Sequence, residues 1–268
     1  MRLDVRMLEL GLAVSREKAR ALIMAGKVSV DGKLSDKAGM PVSEQAEICV
    51  ADDPVPFVSR GGLKLQKAVE AFQIPIEGLV AADIGASTGG FTDCMLQHGA
   101  KKVYAVDVGY GQLDWRLRND ERVVVMERTN ARNMRPDWFE ELLDFASIDV
   151  AFISLRLILP PLNACLRIGA RVVALIKPQF EAGRSEVGKH GVVRDLAVHI
   201  SVCANVLEQA RIAGYDIKGL SFSPITGPKG NIEFLALLEK SVSKEGTIAF
   251  SDDYISNIVR AAHESLDR

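Results

Sequence analysis

The sequence predicts an α/β fold: an open, mostly parallel sheet with helices on both faces, preceded by a small α+β domain. Three observations carry that prediction. Apolar runs at 79–84, 102–107, 122–126, 147–153 and 171–176 alternate with helical stretches, the pattern of a parallel sheet. An acidic, proline-punctuated stretch, Asp52-Asp53-Pro54-Val55-Pro56, separates them from what comes before. Ahead of that stretch the pattern changes to two short helical segments followed by short alternating strands. These features set the boundaries: 1–52 for the small domain, 53–58 for a linker, 59–240 for the α/β domain and 241–268 for a C-terminal helix and tail.

In the small domain, Leu3 to Leu10 suits a short helix. Ser15 is placed to cap a second helix over Arg16–Met24, with Gly26 as its stop. Val28-Ser29-Val30 alternates as a strand, Asp31-Gly32 supplies a tight turn, and Ala46–Val50 is expected to return as a strand. In the large domain, Asp195 to Ala213 forms a long helix that Gly214 closes, and two strands follow near 215–222 and 231–238. Beyond Lys240, residues Tyr254, Ile255, Ile258, Val259 and Ala262 share one face of a last helix, as expected of an element docked on the core.

The bulk numbers exclude several classes of protein. The 268 residues are 48% hydrophobic and 25% charged, with a net charge of −2, so any nucleic-acid surface must be a local patch. The opening MRLDVRMLELG has no apolar secretory core, and no apolar run approaches the roughly 20 residues that span a bilayer. A cytoplasmic chain with no membrane partner is expected. The four cysteines (Cys49, Cys94, Cys165 and Cys203) form no CxxC pair and read as reduced thiols. The four histidines form no ligand cluster, so no metal is expected. The choice between a monomer and a weak dimer stays open.

The sharpest local signal is Asp83-Ile84-Gly85-Ala86-Ser87-Thr88-Gly89-Gly90-Phe91, which follows a strand and opens a helix. Glycines there let the backbone turn and approach a ligand at the carboxyl edge of the sheet. The next strand ends in Asp107, where a carboxylate can accept both ribose hydroxyls of a nucleoside. Three readings compete. A dinucleotide site would want a glycine where Ser87 stands. A hydrolase elbow fits the letters Gly85-Ala86-Ser87-Thr88-Gly89, but His190, His199 and His263 sit in no convincing triad context. S-adenosylmethionine has no pyrophosphate to cradle, and Asp83, before the glycines, suits its amino-acid ammonium group. The methyl-donor reading fits best. Val108, in a second glycine-rich loop, and Arg128 and Asn130, after the third strand, are expected on the same edge.

Four further polar residues fall where such a sheet presents chemistry. Lys64 lies on the segment entering the domain, Asp149 on the fourth strand, Lys177 at the end of the fifth and Glu233 at the entry of the last. Lysine and glutamate within apolar strands are costly unless paired or functional.

At this point the chain resembles the hemolysin-A-type (TlyA) ribosomal RNA 2′-O-methyltransferases, whose catalytic domain is FtsJ-like. The segments that carry the resemblance are SRGGLKL (59–65), DIGASTGGFTD (83–93), AVDVGYGQL (105–113), ERTNAR (127–132), IDVAFISL (148–155), IKPQFE (176–181) and GPKGNIE (227–233). The resemblance implies a Rossmann-like S-adenosylmethionine methyltransferase sheet and a catalytic tetrad of Lys64, Asp149, Lys177 and Glu233. It also implies a cytidine ribose in ribosomal RNA as the target. Ala151 departs from the family pattern, which is expected to carry Ser there. Lys177, partly buried and facing Lys64, is expected to have its proton affinity lowered and to serve as general base, with Asp149 orienting the lysines.

The first fifty residues resemble the RNA-binding module (the alpha-L motif) shared by a small-subunit ribosomal protein, pseudouridine synthases and tyrosyl-tRNA synthetases. Arg2, Arg6, Arg16, Lys18, Arg20 and Lys27 fall on or beside its helical pair and are expected to contact RNA, with Arg60 after the linker. Ribosomal subunits are the expected partner. The loop from Gly183 to Arg194 is read as either a closing element over RNA or a plain connection. Two rival functions are a non-catalytic ribosome assembly factor, which would not need a tetrad, and a hemolysin, which the missing spanning segment disfavours.

Overall fold

The computed structural model describes residues 1–50, 56–183, 185–188 and 190–266. Most of the Asp52–Pro56 stretch, and Arg184 and Lys189 in the glycine-rich loop, lie outside the described residues. The chain divides into two compact units, Met1–Gly62 and Leu63–Arg268. The last helix therefore belongs to the second unit.

The first unit pairs α1 (Leu3–Glu9) with α2 (Arg16–Met24) over three short strands, β1 (Val28–Val30), β2 (Lys33–Leu34) and β3 (Ile48–Val50). The Ser15 hydroxyl accepts the Lys18 N–H at 3.1 Å and caps α2 as expected. Asp31 and Gly32 both have positive φ (51° and 75°), the geometry of a two-residue hairpin turn. That turn leads straight into β2, which is too short for its two residues to show alternation. The later strand β3 pairs on the other side of β1, Val28 opposite Val50. Leu3, Met7, Ala19, Ile23 and Val28, all fully buried, form the core between helices and sheet.

The second unit begins within α3 (Gly61–Phe72) and then builds a seven-stranded sheet. Its elements are β4 (Val80–Ile84), α4 (Gly90–Gln97), β5 (Lys102–Val106), α5 (Trp115–Arg118), β6 (Val123–Met126) and β7 (Leu143–Ile148). They continue with α6 (Leu159–Cys165), β8 (Leu166–Ile176), α7 (Pro178–Glu181), α8 (Leu196–Ile212), β9 (Tyr215–Phe222), β10 (Phe234–Lys240) and α9 (Asp252–Leu266). The strand order is β6-β5-β4-β7-β8-β10-β9, with the first five parallel and β10 antiparallel to both neighbours. The reversal beside the parallel strands follows from the connection lengths. A long helix links β8 to β9, whereas β10 slots between them.

The fourth strand of the sheet ends earlier than its apolar letters suggest. Its ladder with β4 stops at Ile84 opposite Ile148, because the chain leaves the sheet at Gly85 and offers no further partner. Residues 149–153, expected as strand, form the loop that carries Asp149. The cap of α8 is as expected: Asp195 accepts the N–H groups of Ala197 and Val198. Helix α9 buries Ile255, Val259 and Ala262 against α8 and β9. Among the described residues no helix is long and apolar enough to cross a membrane.

Candidate active site

Strands β4, β5, β6 and β7 end together, and the loops that leave them define the site. Gly85 has φ +90°, and a Cβ there would collide with the Asp149 carbonyl oxygen. The loop after β4 and the loop after β7 therefore touch backbone to backbone. Ser87 holds a left-handed φ of 49°, a conformation that L side chains seldom adopt and that tends to persist where neighbours enforce it. The enforcing neighbour is Asp107. Its Oδ2 accepts the Ser87 N–H at 2.8 Å and its Oδ1 accepts the Gly109 N–H at 2.6 Å, so one carboxylate clasps two loops. A crevice lined by Ala86, Ser87, Asp107, Gly109, Leu113 and Glu127 lies along this clasp.

The residues expected at the cofactor divide into two groups. Ser87, Thr88, Asp107, Val108 (69% exposed), Arg128 and Asn130 lie at the accessible edge. Arg128 stands 4.3 Å over the Tyr110 ring, and the Asn130 side chain accepts the Arg132 N–H to cap a short helical turn. Gly89 and Gly90 are buried at the start of α4, where Gly89 has φ +93° and leaves room for Leu113 and Leu117.

Two expectations need correction. Phe91 is 3% exposed, on the inward face of α4, and belongs to the core. Asp83 is fully buried rather than presented to an ammonium group. Its Oδ2 accepts both the N–H (2.8 Å) and the hydroxyl (2.7 Å) of Thr92, and its Oδ1 accepts the Ser147 hydroxyl at 3.3 Å. Burial away from any cation pushes its carboxyl up to about 7, with the Asp149 charge adding to the effect against the Thr92 hydrogen bonds. Asp83 ties β4, α4 and β7 together beneath the site.

The four expected catalytic residues fall into two ion pairs. Lys177 Nζ lies 2.5 Å from Asp149 Oδ1, and Lys64 Nζ lies 2.5 Å from Glu233 Oε2. All four are largely withdrawn from solvent, with side chains 14%, 20%, 10% and 1% exposed in that order. Each lysine thus has its own carboxylate, where the sequence suggested that Lys177 faces Lys64. Gly227 makes space for Glu233: a Cβ there would lie 2.6 Å from Glu233 Oε1. Asn231, two residues earlier, accepts the Val193 N–H at 3.0 Å and donates to the Gly191 carbonyl at 2.9 Å, which anchors the far end of the 183–194 loop.

Three further residues shape the site, which the sequence offered only as members of a motif and with no role of their own. Glu127 accepts the Gly111 N–H at 2.8 Å and pairs with Arg118, fixing the second glycine-rich loop. Glu181 accepts the Ser154 hydroxyl (2.7 Å) and the Leu155 N–H (2.8 Å), joining the loop after β7 to the loop after β8; burial raises its carboxyl above the ordinary value. Phe152 is 91% exposed, has φ +63° and meets Phe180 in a tilted contact, ring centroids 4.9 Å apart and planes 50° from parallel. A large apolar residue three places after Asp149 was the available signal, obscured by its assignment to the strand.

In the first unit, the expected RNA contacts also separate. Arg2, Arg16 and Arg20 converge on buried Asp4. Arg6 instead pairs with Glu9 and donates to the Glu44 carbonyl, and Arg60 pairs with Asp36. Lys18 is exposed and Lys27 half-buried. Among the described residues no group of His, Cys, Asp and Glu side chains has a metal-holding arrangement.

Comparisons with known proteins identify the family of both parts of the chain. Residues 57–240 match the FtsJ-like methyltransferase family, and residues 1–48 match the S4 domain. The chain is 51% identical over 266 residues to the Bacillus subtilis (strain 168) protein named "Putative rRNA methyltransferase YqxC", covering 99% of this chain and 95% of that one. It is 44% identical over 244 residues to the Mycobacterium tuberculosis 16S/23S rRNA (cytidine-2′-O)-methyltransferase TlyA, covering 91% of each. A solved structure described as "Putative hemolysin from Streptococcus thermophilus" superposes with a TM-score of 0.80 at 48% identity, covering 100% of this chain and 97% of that one. The chain belongs to the hemolysin-A-type (TlyA) family of rRNA methyltransferases, an FtsJ-like methyltransferase domain with an S4 domain at its N-terminus.

Proposed function

We propose that this protein transfers a methyl group from S-adenosylmethionine to a ribose 2′-oxygen, that of a cytidine, in ribosomal RNA. The observation that carries the reading is the Lys177–Asp149 pair beside the Asp107 crevice, bridged by the Gly85–Asp149 backbone contact. The residues present fit the cofactor. A carboxylate at the end of β5, a second at the end of β6 and Gly109, which brings bare backbone to the same lining, form a cradle for an adenosine moiety. Asp107 and Glu127 would hold its polar edges, and Ser87 and Thr88 would hold its amino-acid end. When bound, the cofactor supplies an activated methyl group on a sulfonium.

The chain's own residues then have three tasks. The neutral amine form of Lys177 takes the proton of the 2′-hydroxyl as the new C–O bond forms and the C–S bond breaks, becoming the ammonium that Asp149 holds, a contribution of roughly 10²–10⁴ in rate. Asp149 fixes the direction of that amine, and Lys64, held by Glu233, orients the hydroxyl oxygen. Because the methyl group arrives activated, orientation supplies most of the remaining acceleration. Phe152, exposed beside Asp149, offers a face for the target base to stack on. The S4 domain supplies phosphate contacts that dock structured RNA.

The test is transfer of a labelled methyl group from S-adenosylmethionine to purified ribosomal subunits and naked rRNA, wild type beside Lys177→Ala. Label in RNA with the wild type alone, with cofactor affinity in the variant within a few-fold, is the expected result. Loss of cofactor binding in the variant would make Lys177 a binding residue. Absence of label with either protein would favour an assembly factor.

A further inference from the structure

Asp4 sits in the first turn of α1 with no solvent exposure. Its Oδ1 accepts from Arg2 Nε at 2.9 Å, and its Oδ2 accepts from Arg16 at 3.1 Å and from Arg20 at 3.2 Å. A second Arg2 nitrogen reaches Oδ2 at 3.3 Å. A buried carboxylate is expensive without cations, and here three surround it, holding its carboxyl well below the usual range. The three arginine side chains are each 50% exposed, so one end of every guanidinium faces the carboxylate while the rest meets water. One negative charge against three positive leaves the cluster cationic. A guanidinium has five N–H donors, and one or two are spent on Asp4, so donors remain for an anion outside.

The arrangement draws on distant parts of the unit. Arg2 precedes α1, whereas Arg16 and Arg20 lie one turn apart on α2. Without Asp4 these three like charges would repel and sample many rotamers. With it, they form one face of fixed spacing. We propose that Asp4 is a positioning residue for RNA: it gathers Arg2, Arg16 and Arg20 into a preordered triad that receives a backbone phosphate of the substrate RNA. The inference rests on the RNA reading above and adds a residue whose charge is opposite to that expected of an RNA-binding surface.

That opposite sign gives the test its power. Asp4→Asn is nearly isosteric and makes the domain more positive, so attraction for a polyanion would by itself strengthen binding. The positioning role predicts the reverse. With the full chain and purified ribosomal subunits, Asp4→Asn should raise Kd about tenfold and reduce the salt dependence of binding by about one phosphate contact. The KM for subunits should rise with kcat unchanged, and Asp4→Glu should recover part of the loss. In an Arg16→Ala background, Asp4→Asn should add little, because both changes disable the same triad. A general folding defect would instead add its full cost there, which separates the two cases even where the variant melts earlier. Binding by Asp4→Asn as tight as or tighter than wild type, or a loss fully additive with Arg16→Ala, would overturn the triad. No binding of the wild type to any ribosomal RNA would overturn the RNA reading itself, a different failure.

Discussion

Asp4 in the first unit and Asp83 in the second are the same residue type, both without solvent exposure, yet their surroundings hold them in opposite electrostatic states. Asp4 is ringed by three guanidiniums, which favour its ionised form. Asp83 has only neutral donors, Thr92 and Ser147, and shares its neighbourhood with Asp149. Burial alone therefore does not set the charge of an aspartate; the charge of what it is buried with does. The contrast also marks a division of labour. On the proposed reading, the first unit arranges fixed charge for recognition, and the second gathers paired, poorly solvated groups for proton transfer.

The largest expected effect separates those roles. Asp149→Ala should lower kcat by at least about a hundredfold, since it removes the group that aims Lys177, while the Kd for ribosomal subunits stays near wild type. Arg16→Ala should give the mirror image, a raised KM with kcat retained. Steady-state kinetics over a range of subunit concentrations measures both, and a kcat loss in Arg16→Ala would break the division.

A pH series of unfolding sharpens the comparison further. The Asp4 contribution is present above its ordinary unfolded value and is lost as pH falls toward its depressed folded value. For Asp83, raised from 3.8 to about 7, the sign reverses: its contribution is present below about 4 and is lost as pH rises through about 7. The effect is on the order of a few kcal/mol. Asp83→Asn should flatten the decline in melting temperature between pH 4 and 7, and an unchanged slope would mean that Asp83 stays ionised throughout.

The smallest expected effect is at Phe152. Its left-handed backbone costs a non-glycine residue about 1 kcal/mol or more, and its exposed ring contributes little to folding. Phe152→Gly should hold or slightly raise the melting temperature while slowing methyl transfer. A fall in stability would assign the ring to packing on Phe180.

Much of this architecture was legible in the sequence, for identifiable reasons. The glycine loop, Asp107, Lys177 and Glu233 stand out because polar or glycine residues interrupt apolar strands at their ends, whereas Lys64 lies on helix α3 and stands out only through the SRGGLKL segment. Less legible was anything decided by a residue far away in sequence. Asp149 was assigned to a strand because Val150, Ala151, Phe152 and Ile153 are apolar, but the strand ends where its partner β4 ends. Asp83 read as a ligand group because its side-chain direction, inward to Thr92 and Ser147, leaves no mark in the letters. Arg2, Arg6, Arg16 and Arg20 looked equivalent, and only the fold shows that three of them share Asp4 while Arg6 turns to Glu9. The two-residue β2 was invisible to any periodicity.

The central claim is that the methyl group goes to ribose oxygen, and the most direct measurement is the chemical identity of the labelled nucleoside. Ribosomal RNA labelled by the purified protein would be digested to nucleosides and resolved against 2′-O-methyl and base-methylated standards. The account predicts the label in 2′-O-methylcytidine, resistant to alkaline cleavage at its 3′ side. Label on a base would contradict it, because Lys177 and Asp149 would then be serving a different acceptor.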